Sequence, residues 1–169
     1  MSNRRNSLAR AALGAAATLL LTSGMSFGQN AAPNPGAALV DRYVTAFNTH
    51  DVDAFRDVIA ENYAQHNGRA GQGLAGTQAT IRGYFETFPD MHAQLEDLVI
   101  SGDRVVARLT FTATHSHPVQ LGPNAPVFQP TGKKLTWGDI EIWRMADGKF
   151  VEHWDQSDLA GLARQLRAD

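Results

Sequence analysis

The chain contains no cysteine. Disulfides, a thiol nucleophile and a thiolate metal site are therefore excluded. It also carries little excess charge, with 15 Lys and Arg against 17 Asp and Glu. Even that balance is uneven: Arg4, Arg5 and Arg10 all precede the first acid, Asp41, and the rest of the chain has 12 basic residues against 17 acidic ones. A mildly acidic body without a basic, aromatic-rich patch lacks the electrostatic footprint of a nucleic-acid binder. A long apolar run is missing too. The Ala/Leu stretch after Arg10 is cut short by Thr22, Ser23 and Gly24, too early for a membrane span, and no permanent membrane anchor is expected. What remains is 169 residues of ordinary composition, 43% hydrophobic. That is enough chain for one domain with a substantial core.

Residues 1–28 have a basic start, an apolar middle and a small-residue end, Ser26-Phe27-Gly28. This is the layout of an export signal, and it implies a periplasmic or secreted protein. Arg4-Arg5 followed by Ser7-Leu8 admits a twin-arginine signal; an ordinary secretory signal with a chance Arg pair is the alternative. Residues 29–36, QNAAPNPG, read as a linker. The domain proper spans 37–169.

In 37–48, AALVDRYVTAFN, the spacing sets Leu39, Val40, Tyr43, Val44 and Phe47 on one helical face. Asp51 can cap a second helix carrying Val52, Phe55, Val58 and Ile59. ENYAQHN is a short extended piece. Thr77 is expected to cap a third helix, with Ile81, Tyr84, Phe85 and Phe88 on its apolar face and FPD at its end. From Met91 the period changes to two. MHAQLEDLVI and RVVARLTFTATH form one hairpin, residues 116–132 a long Pro-rich connection, GKKLTWGDIEIWRM and FVEHWDQ a second hairpin, and SDLAGLARQL a closing helix. Asp158 or Ser157 would cap that helix. Helices first and antiparallel strands after give an α+β domain with helices segregated to one face of the sheet.

The turn ADGK of the second hairpin leaves two registers open. A two-residue Asp147-Gly148 loop puts Ile140 and Ile142 on the face of His153 and Asp155. A three-residue loop with Gly148 left-handed shifts the pairing by one residue and reverses the faces. In that second register Trp137, Asp139, Glu141 and Trp143 share a face with Val151, His153 and Asp155. Ile140, Ile142, Phe150 and Trp154 take the other. The second register separates ionisable from apolar groups and is preferred.

DRYVTAFNTHDVDAF, ENYAQHN, FPDM, SGDRVVARLTFTATH, PTGKKLTW and DGKFVEHWDQSDLAGLARQL, in this order over residues 37–167, resemble the SnoaL-like polyketide cyclases, or ester cyclases. The resemblance implies the nuclear transport factor 2-like fold: a curved antiparallel sheet wrapped around N-terminal helices, a cone-shaped α+β barrel enclosing an apolar pocket. It also implies ring closure by intramolecular aldol condensation, with neither metal nor cofactor. The family's catalytic Asp on the last strand matches Asp155, and a histidine two residues earlier matches His153. A second family histidine falls on Glu141, where this sequence departs from the pattern.

These residue types suit the chemistry. Closing a carbon–carbon bond requires a proton taken from beside a carbonyl and another delivered to the attacked oxygen. A carboxylate in an apolar pocket has a raised pKa and can move protons near neutral pH. A nearby imidazole can donate to a developing oxyanion. Asp155, His153 and His66 are the expected catalytic group. Glu141, Asp139, Trp137, Trp143, His115, Phe85 and Tyr84 are expected to line the pocket. His115 and His117 have the spacing of a metal pair on a strand, but no third ligand accompanies them, and no metal is expected. The partner is a small apolar molecule. A homodimer through the outer sheet face, over Ile140, Ile142 and Trp154, would cover that apolar stripe. An enzyme of cyclase or isomerase type comes first; a non-catalytic binder of a small ligand, or a hydrolase activating water between Asp155 and Asp139, are the alternatives.

Overall fold

The computed structural model describes residues 34–167. The expected export signal and most of the linker lie outside the described residues. The first helix, α1 (Pro35–Asn48), starts inside the stretch read as linker. The reason is local: the Asn34 side chain accepts from the Gly36 N–H at 2.9 Å, and Pro35 takes the first helical position, where its missing N–H costs nothing. Leu39, Val40, Tyr43 and Phe47 form the buried face of α1, as their spacing predicts.

The expected second helix is instead a short 3₁₀ helix, Val52–Asp57, capped by Asp51, which accepts from the N–H groups of Asp53 and Ala54. Val58 closes it and Ile59 opens a strand, β1 (Ile59–Gln65). The next helix, α2 (Gly73–Thr87), begins four residues before Thr77. Thr77 is therefore no cap. It lies buried within α2 and accepts from Gln65 Nε2 at 3.3 Å.

The strands follow in order: β2 (His92–Ser101), β3 (Arg104–Thr114), a short β4–β5 ribbon (Val119–Gln120 with Val127–Phe128), β6 (Lys134–Ala146) and β7 (Lys149–Ser157). The helix α3 (Leu159–Arg167) closes the chain. The main sheet has the order β1-β7-β6-β3-β2. It is mixed rather than antiparallel, because β1 runs parallel to β7, and it is curved but not closed, with β1 and β2 at its edges. The ribbon shows that the Pro-rich connection is partly structured.

Period-two alternation in β3 and β6 decides which side is interior. Val105, Ala107, Leu109, Phe111 and Ala113 are all buried, as are Leu135, Trp137, Asp139, Glu141 and Trp143. α1 packs its aromatics onto this face. The Tyr43 ring meets Trp143 at 5.1 Å and Phe55 at 5.2 Å, and Phe47 meets Phe111 at 5.2 Å and Phe85 at 5.0 Å. Burying a side chain of this size contributes about 1.5–3 kcal/mol, so the helix is held to the sheet chiefly by these rings. The face that bears the ionisable groups is therefore the core-facing one.

Candidate active site

The β6–β7 hairpin builds the site, and its turn is not the one expected. Asp147 (φ 51°) and Gly148 (φ 73°) are both left-handed, between the paired residues Ala146 and Lys149. This is a two-residue type I′ turn. Alone it would have turned the charged face outward. A bulge reverses the outcome: Met145 pairs with Phe150 and Arg144 with Glu152, leaving Val151 as the extra residue. Beyond it Trp143 faces His153, Glu141 faces Asp155 and Asp139 faces Ser157. The expected grouping of Asp139, Glu141, Trp143, His153 and Asp155 therefore stands, though by a different device. The bulge also corrects one placement. Phe150 lies inside, fully buried and stacked on Trp143 at 4.7 Å.

His153 is held on all sides. Its Nδ1 lies 2.6 Å from Gln65 Oε1, and its Nε2 is bonded to Glu141 Oε2. Its ring is stacked between Trp143 (5.7 Å) and Tyr63 (6.0 Å). Gln65 Nε2 donates onward to Thr77, so its Oε1 is the acceptor for a proton on His153 Nδ1. Burial by itself favours the neutral ring, but the Glu141 charge, the bond to Glu141 and the charges of Asp155 and Asp139 raise the His153 pKa overall. With both ring nitrogens engaged, His153 orients Glu141. It is not poised to donate to a substrate.

Asp139 and Asp155 differ from it in being incompletely satisfied. Asp155 is bonded through Oδ2 to Arg69, and Asp139 through Oδ2 to the Ser157 hydroxyl. The Ser157 oxygen also lies 3.5 Å from Asp155 Oδ2 and so stands between the two carboxylates. Oδ1 of Asp139 and Oδ1 of Asp155 are buried and have no hydrogen-bond partner among the described residues. Burial, then the charges of Glu141 and Asp155, push the Asp139 pKa up to about 7, against the pull of the Ser157 bond. A carboxylate with a raised pKa is thus present on this face, at Asp139. Tyr43 and Tyr63, whose hydroxyls are pushed well above the ordinary range by burial and by Glu141, stay neutral beside the cluster.

Other expected residues divide. Tyr84 borders the site: its hydroxyl pKa is raised by burial and acted on by the charges of Arg69, Asp155, Glu141 and Asp139. Phe85 packs on Phe47 and on the His50 ring instead, and Trp137 on Phe111 and Phe88, as core. His66 is not with the catalytic group. It is exposed, stacked on Trp154 at 4.5 Å, with Nε2 4.0 Å from Glu152. One residue after the inward-facing Gln65, the strand alternation turns it away. His115 is fully buried at the end of β3, with Nδ1 3.0 Å from Thr131 Oγ1. His117 is exposed and bonded to Ser116, so the two do not form a metal pair. Among the described residues no group of three His, Asp or Glu could hold a metal ion.

Four contributors escaped the sequence reading: Gln65, Tyr63, Arg69 and Tyr43. Tyr63 and Gln65 alternate along ENYAQ, and that period-two signal marks them as one inward face. Arg69 had no such signal, because it reaches the site from a turn. Ser157, a candidate cap by sequence, bonds Asp139 instead. The cap is Asp158, whose Oδ1 accepts from Gly161 N–H at 2.7 Å.

A family model described as SnoaL-like polyketide cyclase matches residues 37–166. Among solved structures, TsrD from Streptomyces laurentii is similar, at 32% identity and a TM-score of 0.72, over 82% of this chain and 99% of that one. IdmH from Streptomyces antibioticus is similar at 28% identity and a TM-score of 0.68, over 80% and 100%. A SnoaL-like polyketide cyclase from Agrobacterium tumefaciens, at 24% identity and a TM-score of 0.65 over 80% and 99%, bears on the fold alone. No curated protein matches.

Proposed function

The chain belongs to the SnoaL-like polyketide cyclase family, and we propose that it catalyses a cyclase-type reaction, an intramolecular aldol closure or related isomerisation, on a small, largely apolar keto compound. One observation carries this reading. Two buried aspartates, each with an oxygen that lacks a donor among the described residues, are joined through one serine hydroxyl. Such a pair can hold one proton between two carboxylates whose surroundings differ, the arrangement that assigns acid and base in proton-transfer enzymes.

The step follows from those groups. Asp155 removes a proton from the carbon beside a carbonyl. The resulting enolate carbon attacks a second carbonyl of the same molecule, forming the carbon–carbon bond as the C=O π electrons move to oxygen. Asp139, with a pKa near 7 and so partly protonated at neutral pH, delivers its proton to that oxygen. The Ser157 hydroxyl then returns the proton from Asp155 to Asp139. Atoms balance without a co-reactant. Glu141, fixed by His153 and Gln65, supplies the negative charge that keeps the Asp139 proton in place.

The test is turnover of aromatic keto compounds, as free acids and as esters, in metal-chelated buffer by the protein without residues 1–28. Asp155→Asn and Asp139→Asn should each slow it by about 10²–10⁴-fold, the usual contribution of a positioned acid or base. No turnover by the parent over the panel, or variants as active as the parent, would leave the chain as a ligand-binding member of the fold. Export through residues 1–28 is a separate proposal; an intact Met1 in protein recovered from the native cell envelope or medium would refute cleavage there.

A further inference from the structure

Arg69 is the cation placed against the buried acids, and the way it is held marks it as more than a counter-ion. Its backbone is fixed. Asn67 Oδ1 accepts from the N–H groups of Arg69 and Ala70, both at 3.0 Å, and Gly71 N–H donates to Thr80 Oγ1 at 3.0 Å. Gly71 lies so close to Gly76 of α2 that a Cβ built on Gly71 would come 2.7 Å from the Gly76 Cα. Two glycines are needed for that approach. The side chain, by contrast, is 37% exposed and extends from this fixed turn to Asp155, which is only 5% exposed.

Only Nη2 of Arg69 is engaged among the described residues, with Asp155 Oδ2 and, at 3.5 Å, Ser157 Oγ. A guanidinium has five N–H donors in a planar fork, and here the Nε and Nη1 donors remain. An anionic oxygen entering beside Asp139, Glu141 and Asp155 would be repelled by them unless a cation met it. A guanidinium suits that task, because it can take a carboxylate or enolate through two parallel bonds. The unpartnered Oδ1 atoms of Asp139 and Asp155 lie buried in the same cluster.

We infer that Arg69 is the substrate-selecting residue: it exchanges Asp155 for an anionic oxygen of the substrate, so the site takes apolar keto compounds bearing a carboxylate or an ionised enol in preference to their neutral esters. This rests on the reading of the site given above. It narrows the substrate class, and it releases Asp155 Oδ2 from Arg69 at the moment a base is required. Arg69 thereby couples binding of the correct ligand to release of the base.

The experiment is read on binding alone. 1-Hydroxy-2-naphthoate and its methyl ester share an apolar body and differ in one charge. Titrated calorimetrically into the parent at pH 7, the acid should bind about tenfold or more tighter than the ester, as a charge-assisted pair requires. Arg69→Gln should bring the two within about threefold, and Arg69→Lys should retain part of the preference. Asp155→Asn, which frees Arg69, should tighten the acid severalfold. Equal binding of acid and ester by the parent, binding of neither, or a preference that survives in Arg69→Gln would each overturn the inference. The parent's ratio needs no variant and so stands even where a variant fails to fold. Turnover in the aspartate variants tests the catalytic reading separately, so either can fail without the other.

Discussion

Asp90 and Asp139 are the same residue type in opposite circumstances. Asp90, in the turn after α2, receives the Thr114 N–H at 2.7 Å, the Thr114 hydroxyl at 2.5 Å and Lys134 Nζ at 2.9 Å. These bonds, that of the Thr114 hydroxyl first, hold its carboxyl well below the ordinary range. Asp139 is buried among other acids with a single hydroxyl donor and one oxygen unmet. Its pKa rises to about 7. A carboxylate supplied with donors is a fixed ion that ties β3 and β6 to the α2–β2 turn. A carboxylate deprived of them exchanges a proton in the physiological range. The difference lies in how many donors the neighbouring strands bring, and it separates the structural acid from the chemical one.

The largest effect on stability should come from Asp139→Asn. The folded state keeps the Asp139 proton to higher pH than the unfolded chain does, so ionising it costs the fold. That stability is present below the ordinary carboxylate value and is lost as pH rises through about 7. Asn removes the loss. The variant should match the parent near pH 4 and exceed it by roughly 2–4 kcal/mol near pH 8. His153, with its pKa raised in the fold, acts in the same direction, its share present below the ordinary imidazole value and lost above it, so the parent's own decline should be steep. Urea unfolding at three pH values measures the gap. A gap that stays constant with pH would show that Asp139 does not carry the proton.

The outer face of the same hairpin sharpens the contrast. Ile140 is 45% exposed there, and Ile142 lies opposite Trp154. Trp154 is partly covered by the stacked His66 ring and by Arg104, 5.2 Å from its centroid. Val99 on β2, 57% exposed, extends the apolar surface. We propose that two copies meet on this face, as the stripe alone suggests. Ile140→Glu should then halve the mass seen by sedimentation at micromolar concentration and leave the urea midpoint of the monomeric form within about 0.5 kcal/mol of the parent's value, as for other surface substitutions. A parent that sediments as a monomer would end the proposal.

Most of the architecture was legible because it rests on period. Residues spaced at 3.6 gave the buried face of α1, and strict alternation from Val105 to Ala113 and from Leu135 to Trp143 gave the interior of the sheet. What was lost followed from local chemistry that pattern does not carry. VDAFRD has helical spacing, yet it is a short 3₁₀ helix, because Ile59 leaves it at once for β1. Thr77 looked like a cap but serves Gln65 from inside α2. The faces of β6 and β7 were legible from charge segregation, although the turn that sets them was not: ADGK forms the two-residue loop and Val151 takes up the displaced residue. Within the site, Asp139, Glu141, His153 and Asp155 could be read from one hairpin. Arg69 and Gln65 could not, since their partners lie on other elements and only the parallel β1–β7 pairing brings them near. His66 was misplaced by one step of the same alternation.

Asp90→Asn is the counterpart with the smallest effect. Its side chain is 45% exposed, so its contact with Lys134 is screened by water and contributes little. The Thr114 N–H bond to Oδ1 can remain, but an amide nitrogen in place of Oδ2 no longer accepts from the Thr114 hydroxyl or Lys134, and the loss should cost about 1 kcal/mol near pH 7. The sign with pH is the reverse of that at Asp139. Because the folded pKa lies below the unfolded one, the stabilisation is present above about pH 4 and disappears as acid reaches the folded value. Parent and variant should therefore converge in acid, where Asp139 variant and parent also converge, and separate at neutral pH with the parent the more stable. Adding 0.5 M salt should remove the part due to Lys134 and leave the part due to Thr114. If Asp90→Asn instead gained stability toward pH 8, donor count would not be what distinguishes the two aspartates.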